Sequence, residues 1–169
     1  TDASTIQSAI GQFDVRATPL QMAMVAAAIG NGGVEMKPYL VDQLVAPDLK
    51  IVDQTKPSVL RQSVSSQVAA QLTQMMINVV QHGTGTSAQI SGVKVAGKTG
   101  TAEVFGRQDT SWLASWGPLS KDAKGNPHAK FVVVGMVEQA GTGATAAGPM
   151  LKRIYDGLLG VDGPAVIPG

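Results

Sequence analysis

Cysteine is missing from this chain of 169 residues, which excludes disulfides, thiolate metal ligands and cysteine nucleophiles together. Charge is scarce too: charged residues make up 15% of the sequence, and thirteen Lys and Arg against twelve Asp and Glu leave a net charge of +1. Without a basic run there is no electrostatic footprint for a nucleic acid, and no such partner is expected. Long apolar runs are also lacking. The longest, Met22 to Ile29, has eight residues, whereas a membrane span needs roughly 20. No signal peptide is visible and the chain opens on Thr1-Asp2, so any targeting or anchoring segment is expected upstream. What the chain has in quantity is apolar residues, 44% of the total, enough for a buried core in one domain of ordinary size.

Thr18-Pro19-Leu20-Gln21 combines a threonine N-cap, proline in the first helical position and glutamine at the third, which predicts a helix start. Met22 to Ile29 continues it, and Asn31-Gly32-Gly33 stops it. With no polar face, this helix is expected to be buried all round. Tyr39 to Val45 and Lys50 to Asp53 read as a peripheral hairpin around Ala46-Pro47-Asp48. A second helix starts near Ser65, with Val68, Leu72, Met75, Met76, Val79 and Val80 as its buried stripe, the methionines read as core filling. It ends near His82-Gly83, followed by the glycine-rich link Thr84-Gly85-Thr86. Three strands come next, within 93–104, 111–117 and 130–138, joined too tightly for helical crossovers and so antiparallel. Phe131 to Val134 reads as a strand covered on both faces. Ala146 to Leu159 closes as an amphipathic helix, with Met150, Leu151, Ile154 and Leu158 on one side. The fold class is therefore α+β, an antiparallel sheet flanked by helices.

Lys98-Thr99-Gly100-Thr101 carries the clearest chemical signal. A lysine inside an otherwise apolar strand needs a reason, because burying an unpaired ammonium costs several kcal/mol. Gly100 shares its face, since side chains alternate with period two, and a glycine inside a strand often marks close approach by a ligand or another backbone. Thr99 and Thr101 supply two hydroxyls and two backbone N–H groups on the other parity. On an edge strand these can bind an extended peptide or an oxyanion. The bland alternative is an edge strand that carries a charge to block aggregation.

This segment resembles the Lys-Thr-Gly motif of the penicillin-binding protein and serine β-lactamase family. Ala96-Gly97-Lys98-Thr99-Gly100-Thr101-Ala102-Glu103 is similar to the longer form usual in high-molecular-weight transpeptidases, class B monofunctional enzymes being the nearest in flavour. The resemblance extends to Ile10-Gly11-Gln12, to Ala17 through Ala23, to Ala28 through Gly33 with Pro38, to His82 through Thr86, and to Trp112 through Pro118. It implies that Lys98 faces the active-site cleft and assists proton transfer, and that the hydroxyls of Thr99 and Thr101 hold the carboxylate of a stem peptide or a β-lactam. It also implies that Gly100 keeps the strand open to the acyl group and that the Thr101 N–H belongs to an oxyanion hole. The family also needs Ser-x-x-Lys and Ser-x-Asn. No Ser-x-Asn occurs here, and Ser91-Gly92-Val93-Lys94 fits Ser-x-x-Lys only in letters. It sits in a glycine-flanked turn, not on the helical turn that brings lysine against serine, and Ser91 is read as a decoy.

The resemblance thus implies that residues 1–160 form the carboxy-terminal portion of a transpeptidase domain within a serine β-lactamase/transpeptidase-like fold, with an upstream part missing and 161–169 a flexible tail. The implied reaction is D-Ala-D-Ala transpeptidation through an acyl-serine. The implied partners are the peptidoglycan stem peptide, β-lactams and the upstream part of the same protein. The implied location is the outer face of the cytoplasmic membrane, with membrane contact only through an upstream anchor. No cofactor is implied. His82, His128 and the carboxylates show no ligand spacing, so no metal is expected. Two rivals stay open: a carboxypeptidase or β-lactamase that passes the acyl group to water, and a β-lactam-sensing or non-catalytic domain of the same fold.

Overall fold

Thr18 starts its helix in the way the sequence requires. The computed structural model describes residues 2–121, 123, 125 and 127–160; the tail expected over 161–169 lies outside them. A short helix α1 covers Asp2–Ala9 and helix α2 covers Pro19–Gly30. Gln21 N–H donates to Thr18 Oγ1 at 3.2 Å and Thr18 N–H donates to Gln21 Oε1 at 2.8 Å, a reciprocal box that satisfies two donors left without partners at a helix start. The expected burial on all sides is not found. Ala26, Ala28 and Gly30 are buried, whereas Leu20 and Val25 are 61% and 53% exposed. The helix lies against a sheet on one side, and among the described residues its other side is uncovered. Gly30 permits that approach, because a Cβ there would meet the Trp116 indole at 3.1 Å.

Four short strands follow: β1 (Val34–Met36), β2 (Gln43–Val45), β3 (Ile51–Gln54) and β4 (Val59–Gln62). β2 and β3 form the expected antiparallel hairpin. β1 pairs with β4, which periodicity did not reveal because a pattern three or four residues long carries too little signal. This pair is clasped by Glu35, buried on β1. Arg61 Nε donates to its carboxylate at 2.6 Å and Ser63 Oγ donates at 2.8 Å. Those two bonds, Arg61's foremost, hold the Glu35 carboxyl below its ordinary value near 4.5. A carboxylate depressed in the folded state stabilises the fold above the unfolded pKa, and that contribution is lost as pH falls through the folded value. Thermal melts of the protein and of Glu35→Gln are therefore expected to differ by a constant amount at neutral pH. The gap should close as the pH drops below about 4.5; a gap independent of pH would contradict the assignment.

Helix α3 spans Ser66–His82, with Ser65 as its N-cap accepting from Val68 N–H. Its period is as read and its stripe is met in part: Val80 is buried and Leu72, Met76 and Val79 are half-buried. Ala69, Thr73, Ile77 and Val80 are buried, while Val68 and Met75 of the expected stripe are exposed. Small residues decide this: Ala69 and Thr73 let the helix sit close to the sheet, and Trp116 Nε1 donates to Thr73 Oγ1 at 3.3 Å. After a 3₁₀ turn at Thr86–Ala88 come β5 (Ala96–Ala102), β6 (Thr110–Lys121) and β7 (Pro127–Val137), antiparallel in the order β5-β6-β7. Helix α4 (Ala147–Leu159) ends the described chain.

Three layers result, consistent with the α+β reading. Ala26, Ile77, Ala96 and Trp116 join α2 and α3 to one sheet face. On the other, Val95, Leu113 and Val133 pack against Leu151 and Tyr155 of α4. β7 is thus covered on both faces, as Phe131 to Val134 suggested. The expected face of α4 needs correcting. Leu151 is buried and Met150 half-buried as expected, but Ile154 and Leu158 are exposed, and Ala147, Tyr155 and Asp156 are buried in their place. Tyr155 is drawn inward because its hydroxyl accepts from Ser115 Oγ at 3.2 Å, so an aromatic ring with a satisfied polar tip displaces two aliphatic side chains. Among the described residues β5 and β7 each pair with β6 alone, so both sheet edges are open.

Candidate active site

β5 carries the Lys-Thr-Gly-Thr segment along one of these edges. Its register against β6 sets Lys98 opposite Ala114, Thr99 opposite Leu113, Gly100 opposite Trp112 and Thr101 opposite Ser111. Because faces alternate, Lys98 and Gly100 share the α2/α3 face with Ala96, and Thr99 and Thr101 share the α4 face with Val95. Edge direction is set by one hydrogen bond. Thr101 O accepts from the Gln12 side chain at 3.0 Å, so it points away from β6. Backbone groups of one residue point to the same side of a strand and alternate residues repeat, hence the N–H groups of Thr99 and Thr101 also face the open edge.

The two threonine hydroxyls are held. Thr99 Oγ1 lies 2.7 Å from Thr84 Oγ1, which the glycine-rich link after α3 delivers. Thr101 Oγ1 accepts from Gly143 N–H at 3.4 Å, so its own hydrogen is available to an incoming acceptor. Gly143 belongs to the loop between β7 and α4, and Ser111 ties that loop down. Its Oγ donates to Thr142 O at 2.7 Å and accepts from Ala147 N–H at 3.2 Å. On the other end, Gln12 Oε1 accepts from Glu103 N–H at 3.3 Å. The segment therefore presents two backbone donors along the open edge, two oriented hydroxyls toward the α4 face, and an ammonium from the opposite, α2/α3 face.

Lys98 is exposed, contrary to the premise that its ammonium is buried within an apolar strand. At the strand edge water solvates it, so no desolvation penalty demands a partner. Its Nζ donates to Thr99 O at 2.5 Å, and among the described residues no carboxylate lies within ion-pair distance of it. Ser91 and Lys94 are both exposed, Ser91 in a turn where Gly92 has φ of +72°; no helical turn brings them together. Trp116 is core and Trp112 half-buried. Among the described residues no group of three or more His, Asp or Glu is placed to hold a metal ion, and no helix is long and apolar enough to cross a membrane.

Three residues beside β5 escape a reading of the site from sequence: Gln12, Thr84 and Gly143. The first two lie in segments that share the family resemblance but carry no role there. Gly141-Thr142-Gly143 suggests, as sequence, no more than a phosphate loop without its lysine. The signal that could point to these loops is their density of glycine and threonine, residue types suited to close backbone approach.

An edge strand with Lys-Thr-Gly-Thr, a three-stranded antiparallel sheet and helices on both faces are the features expected of part of a penicillin-binding protein transpeptidase domain. The family model of the penicillin binding protein transpeptidase domain matches residues 1–156, and the chain belongs to that family. It is 40% identical over 155 residues to the peptidoglycan D,D-transpeptidase PbpA of Mycolicibacterium smegmatis, covering 89% of this chain and 30% of that protein. To PbpA of Mycobacterium tuberculosis strain H37Rv it is 48% identical over 96 residues, 57% of this chain and 19% of that one. The crystal structure of PBPA from Mycobacterium tuberculosis superposes with a TM-score of 0.79 at 36% identity, over 94% of this chain and 38% of that one. Its imipenem acyl-enzyme complex gives 0.75 at 38% identity, over 90% and 33%. The chain thus spans less than a third of the curated relatives' length.

Proposed function

We propose that this chain is the carboxy-terminal portion, over residues 1–160, of a peptidoglycan D,D-transpeptidase, and that it supplies the substrate-binding edge strand and not the nucleophile. The observation that carries the reading is the open edge of β5, where the N–H groups of Thr99 and Thr101 face outward because Gln12 bonds Thr101 O from that side. An extended stem peptide ending in D-Ala-D-Ala would lie along this edge. Its terminal carboxylate would take the hydroxyls of Thr99 and Thr101, and Gly100 would leave room for the acyl group. The scissile carbonyl oxygen would receive the Thr101 N–H, a donor fixed before charge develops on that oxygen.

A serine from an upstream segment would attack that carbonyl, expelling D-alanine and leaving an acyl-serine that an acceptor amine then resolves. Lys98, whose ammonium leaves the same edge strand from the α2/α3 face, would assist the proton transfer that activates the serine. A β-lactam carries the same carboxylate and reactive carbonyl and would enter the same way. Similarity to penicillin-binding protein A, whose imipenem acyl-enzyme is known, supports this. The parent protein would act outside the cytoplasmic membrane, held there by an upstream anchor, with stem peptide and upstream segment as its partners and without a metal or cofactor.

Labelling with a fluorescent penicillin tests the assignment. The chain alone is expected to remain unlabelled, and the chain joined to its upstream segment to become covalently labelled. Label on the chain alone would make Ser91, or another local serine, a nucleophile. A folded full-length protein that takes no label would favour a non-catalytic domain. Release of D-alanine without cross-linking would favour a carboxypeptidase.

A further inference from the structure

The peptide unit between Thr142 and Gly143 lies across two neighbouring strands and is held at both ends. Its carbonyl accepts from Ser111 Oγ of β6 at 2.7 Å, and its N–H donates to Thr101 Oγ1 of β5 at 3.4 Å. Thr101 and Ser111 are register partners, so their side chains rise from the same sheet face, the one that packs on α4. The C=O and N–H of a trans peptide point opposite ways in one plane, which lets a single unit bridge this cross-strand pair. The bond to Thr101 is the longer and weaker of the two, so the plane is set mainly at the Ser111 end.

Ser111 can set it because it is itself fixed. It is fully buried; its one hydrogen goes to Thr142 O, and its oxygen accepts from Ala147 N–H at 3.2 Å. That N–H opens α4, whose N-cap Ala146 makes no side-chain cap bond, so Ser111 stands in from β6 as the cap. Two other segments hold the same loop. Ser87 Oγ donates to Ala144 O at 2.9 Å, and the N–H groups of Ala140 and Gly141 donate to Asp109 O at 3.0 and 3.1 Å.

The consequence is one of hydrogen polarity. A hydroxyl has a single hydrogen and rotates to suit its surroundings. With the Gly143 N–H on one side of Thr101 Oγ1, the Thr101 hydrogen turns away from the loop and is left for an incoming anion. Were the peptide flipped, Thr142 O would face Thr101 and take that hydrogen, leaving lone pairs to meet the anion. Gly143, without a Cβ, resists such a flip poorly. The bond from Ser111 to Thr142 O is what opposes it.

We propose that Ser111 is a positioning residue for recognition of the ligand's carboxylate: it holds the Thr142–Gly143 peptide with its N–H toward Thr101 and so keeps the Thr101 hydroxyl a donor. This rests on the reading that Thr101 receives the carboxylate of a stem peptide or a β-lactam. Ser111 does not touch the ligand; it acts through the peptide and Thr101.

The test uses the full-length protein with Ser111→Ala, acylated in parallel by a fluorescent penicillin and by the methyl ester of the same penicillin, which lacks the anion. The quantity read is the ratio of the two second-order acylation rate constants, in which the folded fraction cancels. Wild type is expected to favour the acid, and Ser111→Ala to lower the ratio by about tenfold or more, the order of a lost hydrogen bond to a charged group. Ser111→Cys keeps the buried site filled if the alanine variant does not fold. Its thiol is a weak donor, and the ratio is expected to move in the same direction. A purely structural role slows both ligands alike, so a ratio within twofold of wild type in the folded variants would overturn the proposal. Thr101→Val runs alongside. If its ratio stays at the wild-type value, the reading of the carboxylate site is wrong and this proposal goes with it. If its ratio collapses while that of the Ser111 variants does not, this proposal alone fails.

Discussion

Lys98→Ala in the full-length protein is expected to slow covalent labelling by a fluorescent penicillin by at least a hundredfold, with the protein still folded. General acid–base assistance is worth on the order of 10² to 10⁴ in rate, and Lys98 is the cation that β5 places beside the backbone donors of Thr99 and Thr101. Stability should barely change. The side chain is exposed and makes no ion pair among the described residues, and substitutions at such sites fall within about 0.5 kcal/mol. Lys98→Arg sharpens the experiment, because a planar guanidinium keeps the charge but neither the compact shape nor the ready deprotonation of an ammonium. It is expected to recover only a minor part of the rate. Labelling within a few-fold of wild type in Lys98→Ala would return the residue to the simpler role of an edge-strand charge that discourages aggregation.

Gly143→Ala is expected to be the most damaging small substitution in the loop before α4. A Cβ at this position would lie 2.4 Å from Trp112 O, 2.6 Å from Gly100 O and 2.9 Å from Gly100 N. All three are backbone atoms of paired strands, so none can swing aside as a side chain would. Either the loop withdraws, and the Gly143 N–H leaves the Thr101 hydroxyl, or β5 shifts at Gly100. Overpacking of this kind costs about 1–3 kcal/mol, visible as a lowered melting temperature. Displacement of the edge donors by ~1 Å costs up to about 10² in rate, visible in the same labelling assay. Loss of labelling beyond what the unfolded fraction explains would establish that the loop supports the site. A variant that melts and labels like wild type would mean the loop moves freely away from β5.

These effects bear unequally on what the sequence could show. The start of α2 was legible in full, because Thr18, Pro19 and Gln21 satisfy each other within four residues and both cap bonds are present. The meander of β5, β6 and β7 was legible because its connections are too short for any crossover. The buried faces of α3 and α4 were legible only in part. In α3 the small Ala69 and Thr73 face the sheet and Met75 faces out; in α4 Tyr155 turns inward and Ile154 outward. Hydrophobicity ranks residues by their preference for leaving water, whereas the contact surface is chosen by how closely backbones approach and whether a buried hydroxyl finds a partner.

The same division runs through the site. Lys98, Thr99, Gly100 and Thr101 are consecutive, so alternation along one strand was enough to divide them between two faces, and the sequence by itself determined which functional groups that strand carries; that the strand is an edge came from the order β5-β6-β7. Only the tertiary structure decided that Lys98 is solvated, that Thr84 meets Thr99 and Gly143 meets Thr101, and that Gln12 bonds β5 across 89 residues. Local geometry is set by dihedral preferences and hydrogen bonds within a few residues. The partner of an open strand edge is set by which distant loop the packed helices bring against it, and no local pattern encodes that.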